Sequence, residues 1–197
     1  ALMIQQAGLN FHTLPPESFD LPFGFKTGAG VIFGNSGGVS EAVLRFAAEK
    51  IGGVPLEQND ITEVRGENGI RQVSISLGGL ELRLAIVHGL RNARLLLQDV
   101  KKGKVQVDFI EVMACPGGCI GGGGQPVYSD STIRKARTKG LYRADKNMQL
   151  HRSQDNPYVA MLYNTILGEP GGHKAHELLH TSYVNRASLF EGEVVLS

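Results

Sequence analysis

The stretch Phe109-Ile110-Glu111-Val112-Met113-Ala114-Cys115-Pro116-Gly117-Gly118-Cys119-Ile120-Gly121-Gly122-Gly123-Gly124-Gln125-Pro126 constrains this chain more than any other. It joins a short apolar run to the only two cysteines and then to a run of glycines. Phe109–Met113 predicts a strand, so the first thiol sits at a strand end and the second in a loop that wraps back towards it. Cysteines this close rarely reach the geometry of a disulfide, and their flanks do not resemble a secreted disulfide framework. The Cys-x-x-x-Cys spacing also differs from that of zinc ribbons and of thioredoxin-like motifs. Two readings remain open on spacing: structural cysteines beside a flexible turn, or thiolate ligands of an iron–sulfur cluster. In the second, glycines let backbone N–H groups face sulfur with no side chain in the way. Glycine makes up 26 of 197 residues, and the excess over ordinary usage gathers in a few loops, as close backbone approach requires.

Alternation of strand and helix patterns predicts an α/β fold. Residues 1–8 read as a helix end closed by Gly8, and 9–30, with Pro15, Pro16 and Pro22, as a connector. Thr27 to Gly38 is a glycine-dense loop. It leads into a helix whose Val39, Ala42, Val43, Phe46, Ala47 and Ile51 recur at the spacing of one buried face, stopped by Gly52-Gly53. Ile61–Val64, Gln72–Leu77 and Leu80–His88 read as strands and 91–102 as an amphipathic helix with Ala93, Leu96, Leu97 and Val100 inward. Further helices are expected near 130–146, 156–167 and 172–181.

Balanced charge, 20 basic against 19 acidic residues, offers no electrostatic case for nucleic acid or an anionic membrane. The absence of Trp and the scarcity of aromatics disfavour a stacking platform for single strands. The longest apolar run, Leu80 to Leu90, is broken by Glu81, Arg83 and His88 and falls short of the roughly 20 residues of a membrane span. The first residues have no signal-peptide pattern, so a cytoplasmic location is expected, with the periplasm as the alternative. The opening inside a helix, without Met, suggests a fragment or a processed subunit.

Glu-x-Met-Ala-Cys-x-x-Gly-Cys followed by Gly-Gly-Gln-Pro resembles the third signature of the [FeFe]-hydrogenase active-site cluster. Gly28-Ala29-Gly30-Val31-Ile32-Phe33-Gly34, Gly37-Gly38-Val39, Glu41-Ala42 and Leu44-Arg45 are similar to the segment that precedes that signature in the family. So are Val64-Arg65-Gly66, Asn68-Gly69-Ile70 and Lys174-Ala175-His176-Glu177-Leu178-Leu179-His180-Thr181. Asn35-Ser36 departs from the smaller or Thr-containing pair of many relatives. The resemblance covers residues 1–183, leaving 184–197 as a tail.

The resemblance implies one lobe, a mixed sheet flanked by helices, of a two-lobed catalytic domain. Its cofactor would be a [4Fe–4S] cubane linked through cysteine sulfur to a diiron subsite with CO, cyanide and a bridging dithiolate. Cys115 and Cys119 would ligate the cubane, and Cys119 would also bridge to the diiron unit. Met113 would pack beside that unit, its thioether tolerating an unusual ligand set. Phe33 and Val39 would line an apolar wall that keeps water out, and Gly34 and Gly118 would complete the cofactor contacts. Cys119 and Met113 are thus the expected catalytic positions. Two thiolates cannot complete a four-thiolate cubane, so an N-terminal half or partner chain would supply two more cysteines. Ferredoxin or NAD(P)-linked subunits would carry electrons, with reversible hydrogen oxidation as the reaction. The alternative is a hydrogenase-like iron–sulfur assembly or sensory protein without hydrogen turnover.

Other motifs compete weakly. His176-Glu177-Leu178-Leu179-His180 has the zinc-peptidase spacing, but Glu191 and Glu193 are the only later carboxylates. Gly28-x-Gly30-x-x-x-Gly34 lacks dinucleotide spacing and a preceding strand. Lys101-Lys102-Gly103-Lys104 reads as a solvated helix end whose cations complement the macrodipole.

Overall fold

A computed structural model describes residues 2–18, 20–21, 25–52, 61–126 and 130–184. Two compact units emerge, Ala1–Pro157 and Tyr158–Ser197. The first is built on a three-stranded sheet of order β1-β2-β3, comprising β1 (Ile70–Leu77), β2 (Leu80–His88) and β3 (Phe109–Met113). β1 and β2 form an antiparallel hairpin across Gly78-Gly79. Both turn residues have positive φ, 57° and 84°, the conformation that carries a two-residue hairpin along the strand twist and that favours glycine. β2 and β3 are parallel, which demands a crossover. It is supplied by α4 (Leu90–Lys101).

β2 explains the layering. Leu84 and Ile86 face a core with Leu44, Ala48, Ile61, Val64 and Leu77. Their alternates Ala85 and Val87 face a second core with Ala93 and Leu96 of α4. Neighbouring strand residues point to opposite faces, so a strand covered on both sides reads as the unbroken apolar run Leu84–Val87. The first core is covered by α3 (Gly38–Gly52). Earlier helices are α1 (Leu2–Gln6) and α2 (Gly28–Ile32), and α5 (Ser131–Lys146) follows the cysteine loop.

Two expectations need correction. Thr62–Val64 is a 3-10 turn rather than part of a strand. The Val64 carbonyl and the preceding Ile61 N–H serve side chains of other elements, Arg71 and Glu41, and the Thr62 carbonyl accepts from Arg65 N–H within the turn, so no ladder forms. The glycine-dense stretch is not all loop: residues 28–32 are helical, capped by Thr27, whose Oγ1 accepts from Gly30 N–H.

The face of α3 is also not the expected one. Ala42 is buried as expected, but Val43, Phe46 and Ile51 are 40%, 44% and 46% exposed, whereas Ser40, Glu41, Leu44, Arg45 and Ala48 are buried. Charge is what turned inward. Arg45 forms a fork to Asp145 of α5 at 2.7 and 3.0 Å and reaches Glu41 at 2.8 Å. Glu41 in turn receives Arg65 at 2.6 and 2.9 Å. Burial opposes the Arg45 charge, but Asp145 and Glu41 outweigh it and hold the guanidinium above its ordinary value. Gly28 allows α2 to approach this network, since a Cβ there would overlap Asp145. Gly53 lies outside the described residues.

In the second unit, the remainder of α6 (Pro157–Leu162) passes into a π-helical turn, Tyr163–Leu167, ended by Gly168 at φ 73°. α7 (His173–Leu179) follows, and among the described residues of this unit Leu167, in the π-helical turn, and Ala175, in α7, are the buried apolar ones. Residues 185–197, most of the expected tail, lie outside the described residues.

Candidate metal centre at the cysteine loop

Register places His88 and Met113 side by side at the carboxyl ends of the parallel pair β2 and β3. The crevice outside those ends is where open α/β sheets place ligands. Gly89 N–H donates to Met113 O at 2.8 Å, so the crossover begins at the point where β3 releases the chain.

The cysteine loop is a pair of tight turns. Gly118 N–H donates to Cys115 O at 3.0 Å, Gly121 N–H to Gly118 O at 3.0 Å and Gly122 N–H to Cys119 O at 3.1 Å. Gly117 and Gly118 have φ of 78° and 95°, which L side chains rarely adopt. Two backbone bonds dock the loop on the turn between α2 and α3: Ser36 N–H to Gly117 O at 2.9 Å and Ile120 N–H to Gly34 O at 3.2 Å. From α5, Arg137 Nη1 donates to Ile120 O at 2.7 Å.

Within this arrangement Gly118 is the crossing point. A Cβ there would lie 2.7 Å from Ser36 N, 2.8 Å from Gly34 O and 2.9 Å from Met113 Sδ. Met113, Gly118 and Gly34, singled out on the sequence, therefore meet. Cys115 is half-buried and Cys119 exposed. A Cβ on Gly122 would sit 3.1 Å from Cys115 Sγ, so that sulfur faces bare backbone. Phe33 caps α2 and is 45% exposed. Val39, in the first turn of α3, is partly buried.

Glu111, part of the cysteine motif, gains a role only in the fold. The carboxylate, buried in β3, accepts from Gly37 N–H at 2.6 Å, Ser40 N–H at 2.7 Å and Ser40 Oγ at 2.8 Å. It caps α3 from a different element, satisfying first-turn donors and complementing the positive end of the dipole. The available signal was an acid in the middle of an apolar strand. Arg71 braces the same turn through Ser36 O, Ser36 Oγ and Val64 O. Burial lowers the Arg71 pKa, and nearby Glu111 works against that.

Two thiols and glycine-lined backbone suit part of a thiolate-ligated iron–sulfur cluster. Among the described residues no group of three or more His, Cys, Asp or Glu side chains is placed to hold a metal. The His176 and His180 rings stack 4.3 Å apart, with His180 already beyond the end of α7. Glu191 and Glu193 lie outside the described residues.

The family described as "Iron only hydrogenase large subunit, C-terminal domain" matches residues 1–123, and "Iron hydrogenase small subunit" matches residues 131–186. The chain is 45% identical over 190 residues to NADP-reducing hydrogenase subunit HndD of Solidesulfovibrio fructosivorans, covering 96% of this chain and 32% of that one. It is 33% identical over 195 residues to the cytosolic Fe-S cluster assembly factor narfl of Xenopus tropicalis, covering 92% of this chain and 38% of that one. Among solved structures, [FeFe]-hydrogenase HydA1 from Chlamydomonas reinhardtii superimposes with a TM-score of 0.72 at 40% identity. The overlap covers 93% of this chain and 53% of that one. The chain thus spans about a third of the length of the curated relatives it matches.

Proposed function

The chain belongs to the iron-only hydrogenase family, and on that premise we propose that it is the C-terminal part of a catalytic domain that carries out H2 ⇌ 2 H⁺ + 2 e⁻. Iron–sulfur chemistry is the family's. The finer assignment rests chiefly on the packing of Met113 Sδ against the Gly118–Gly34 crossing beside both cysteines, where a soft thioether suits a diiron unit with CO and cyanide.

Cys115 and Cys119 would hold the cubane, and Cys119 would also link it to the diiron unit. When bound, that cluster supplies redox equivalents, an open iron site for H2 and a basic amine in its dithiolate. The protein's own contribution is to bind, orient, dry and tune it. Met113 flanks the diiron side. Phe33 and Val39 form the apolar wall once the rest of the domain covers them, Gly118 lets the loop close on Gly34, and Gly34 contributes backbone. An N-terminal half or partner chain supplies the remaining two thiolates, and ferredoxin or NAD(P)-linked subunits carry the electrons. A reducing cytoplasmic setting suits two unbridged thiols, and no helix among the described residues is long and apolar enough to cross a membrane.

A second reading, an assembly factor with a cubane but no hydrogen turnover, is supported by the likeness to narfl. Gly-Gly-Gln-Pro directly after the cysteines favours the enzyme. Infrared spectroscopy of the iron-loaded, assembled protein separates them. The enzyme gives CO and cyanide stretching bands; an iron-replete protein without those bands is the assembly factor.

A further inference from the structure

The peptide group between Ser36 and Gly37 is gripped at both ends by opposite charges. Its carbonyl accepts from Arg71 Nη2 of β1 at 3.1 Å, and its N–H donates to Glu111 Oε1 of β3 at 2.6 Å. A guanidinium on the oxygen and a carboxylate on the hydrogen both act along the peptide dipole, and charge-assisted bonds of this kind are roughly twice as strong as neutral ones. Gly37 makes the grip possible: its φ is 98°, and a Cβ there would overlap Val64 O and lie 3.3 Å from Arg71 Nη2.

The grip closes a ring through the cysteine loop. Ser36 N–H donates to Gly117 O and Ile120 N–H donates to Gly34 O, so the loop hangs on this turn from either side of Gly118. Its other attachment is covalent, through β3, which carries Glu111 and runs on into Cys115. Glu111 thus ties the turn back to the strand that launches the first thiol. Met113 follows on the same side of that strand, and Gly118 packs between its Sδ and the turn.

We propose that Glu111 and Arg71 are positioning residues for the cysteine loop: by holding the two ends of the Ser36–Gly37 peptide they fix the Ser36 N–H that donates to Gly117 O, and with it the setting of the Cys115 and Cys119 thiolates. Solvent exposure and hydrogen bonding at the sulfurs set the potential of an iron–sulfur cluster, so the clamp tunes the cubane without touching it. The inference rests on the iron–sulfur part of the proposed function and not on hydrogen turnover.

Two measurements on the assembled full-length protein test it, with Glu111→Ala, Arg71→Met and, as a control at the far end of β3, Asp108→Asn. In iron-free protein, hydrogen exchange at the Ser36 and Ile120 amides should quicken about tenfold in the first two variants, the scale of one hydrogen bond to a charged group, and not in the control. In protein with full iron content, a redox titration of the cubane followed by electron paramagnetic resonance supplies the second readout. Loss of a negative charge and loss of a positive one would by themselves move the midpoint in opposite directions. A loosened loop admits water, which favours the more highly charged reduced cluster, so both variants should raise it. Glu111→Gln keeps the side chain's shape but only one accepting oxygen, and it should show the same two changes if Glu111→Ala does not fold. Unchanged exchange, midpoints that stay put or move in opposite directions, or an equal effect from Asp108→Asn overturns the proposal. Failure to take up iron would refute the iron–sulfur reading instead, and the iron-free exchange would still decide the clamp.

Discussion

At the scale of single residues, Gly118 carries the tightest constraint. Gly118→Ala combines an unfavourable φ with contacts under 3 Å to two backbone atoms and to Met113 Sδ. A loss of about 2–4 kcal/mol in denaturant-derived stability is expected from backbone strain and overpacking together. A loss within error of zero would mean the loop opens freely away from Gly34. At the sulfurs, Cys119→Ala should remove the diiron unit and with it hydrogen turnover, while Cys115→Ala should lower cubane content, both measurable as iron per protein. The cysteine motif was legible because its chemistry is local. Glu111 and Asn35 were not. What makes them informative is respectively a set of partners more than 70 residues away and a buried side-chain amide with no hydrogen-bond partner among the described residues, and neither shows in a linear pattern.

Among the elements, β2 and β3 fall where alternation and apolar runs place them, because a strand's inward residues are set by its own period of two. The face of α3 does not follow its apolar period. Glu41 and Arg45 turned inward because Asp145 and Arg65 arrive from distant parts of the chain to neutralise them, and that pairing outweighs the pattern of Val43, Phe46 and Ile51. Removing one member leaves an uncompensated buried charge, so Arg45→Met should cost about 3–5 kcal/mol, read from chemical unfolding. An unchanged midpoint would remove the network from the account of the fold. Start-of-strand geometry at β3 has a milder, pH-dependent contribution. Arg83 forms a fork to Asp108 at 2.8 and 3.1 Å, and these hydrogen bonds hold the Asp108 carboxyl down to about 2 from an ordinary 3.8. A depressed carboxylate stabilises the fold above its unfolded pKa and stops doing so as pH falls through the folded one. The Tm gap between wild type and Asp108→Asn should therefore narrow between pH 4 and about 2; a gap that widens on acidification would contradict the pairing.

On the scale of the whole molecule, the segment has a three-stranded sheet and two apolar cores among the described residues, and under the proposed function it supplies two of a cubane's four thiolates. Phe33, Val43, Phe46 and Ile51 are exposed apolar side chains, and their coverage by further polypeptide belongs to the same proposal. The most direct measurement is alkylation of the iron-loaded, assembled protein, with labelled positions read by mass spectrometry before and after iron chelation. Jointly ligating thiolates predict that Cys115 and Cys119 resist labelling while iron is present and react fully once it is removed. Full labelling of both cysteines in protein that keeps its iron would contradict the account.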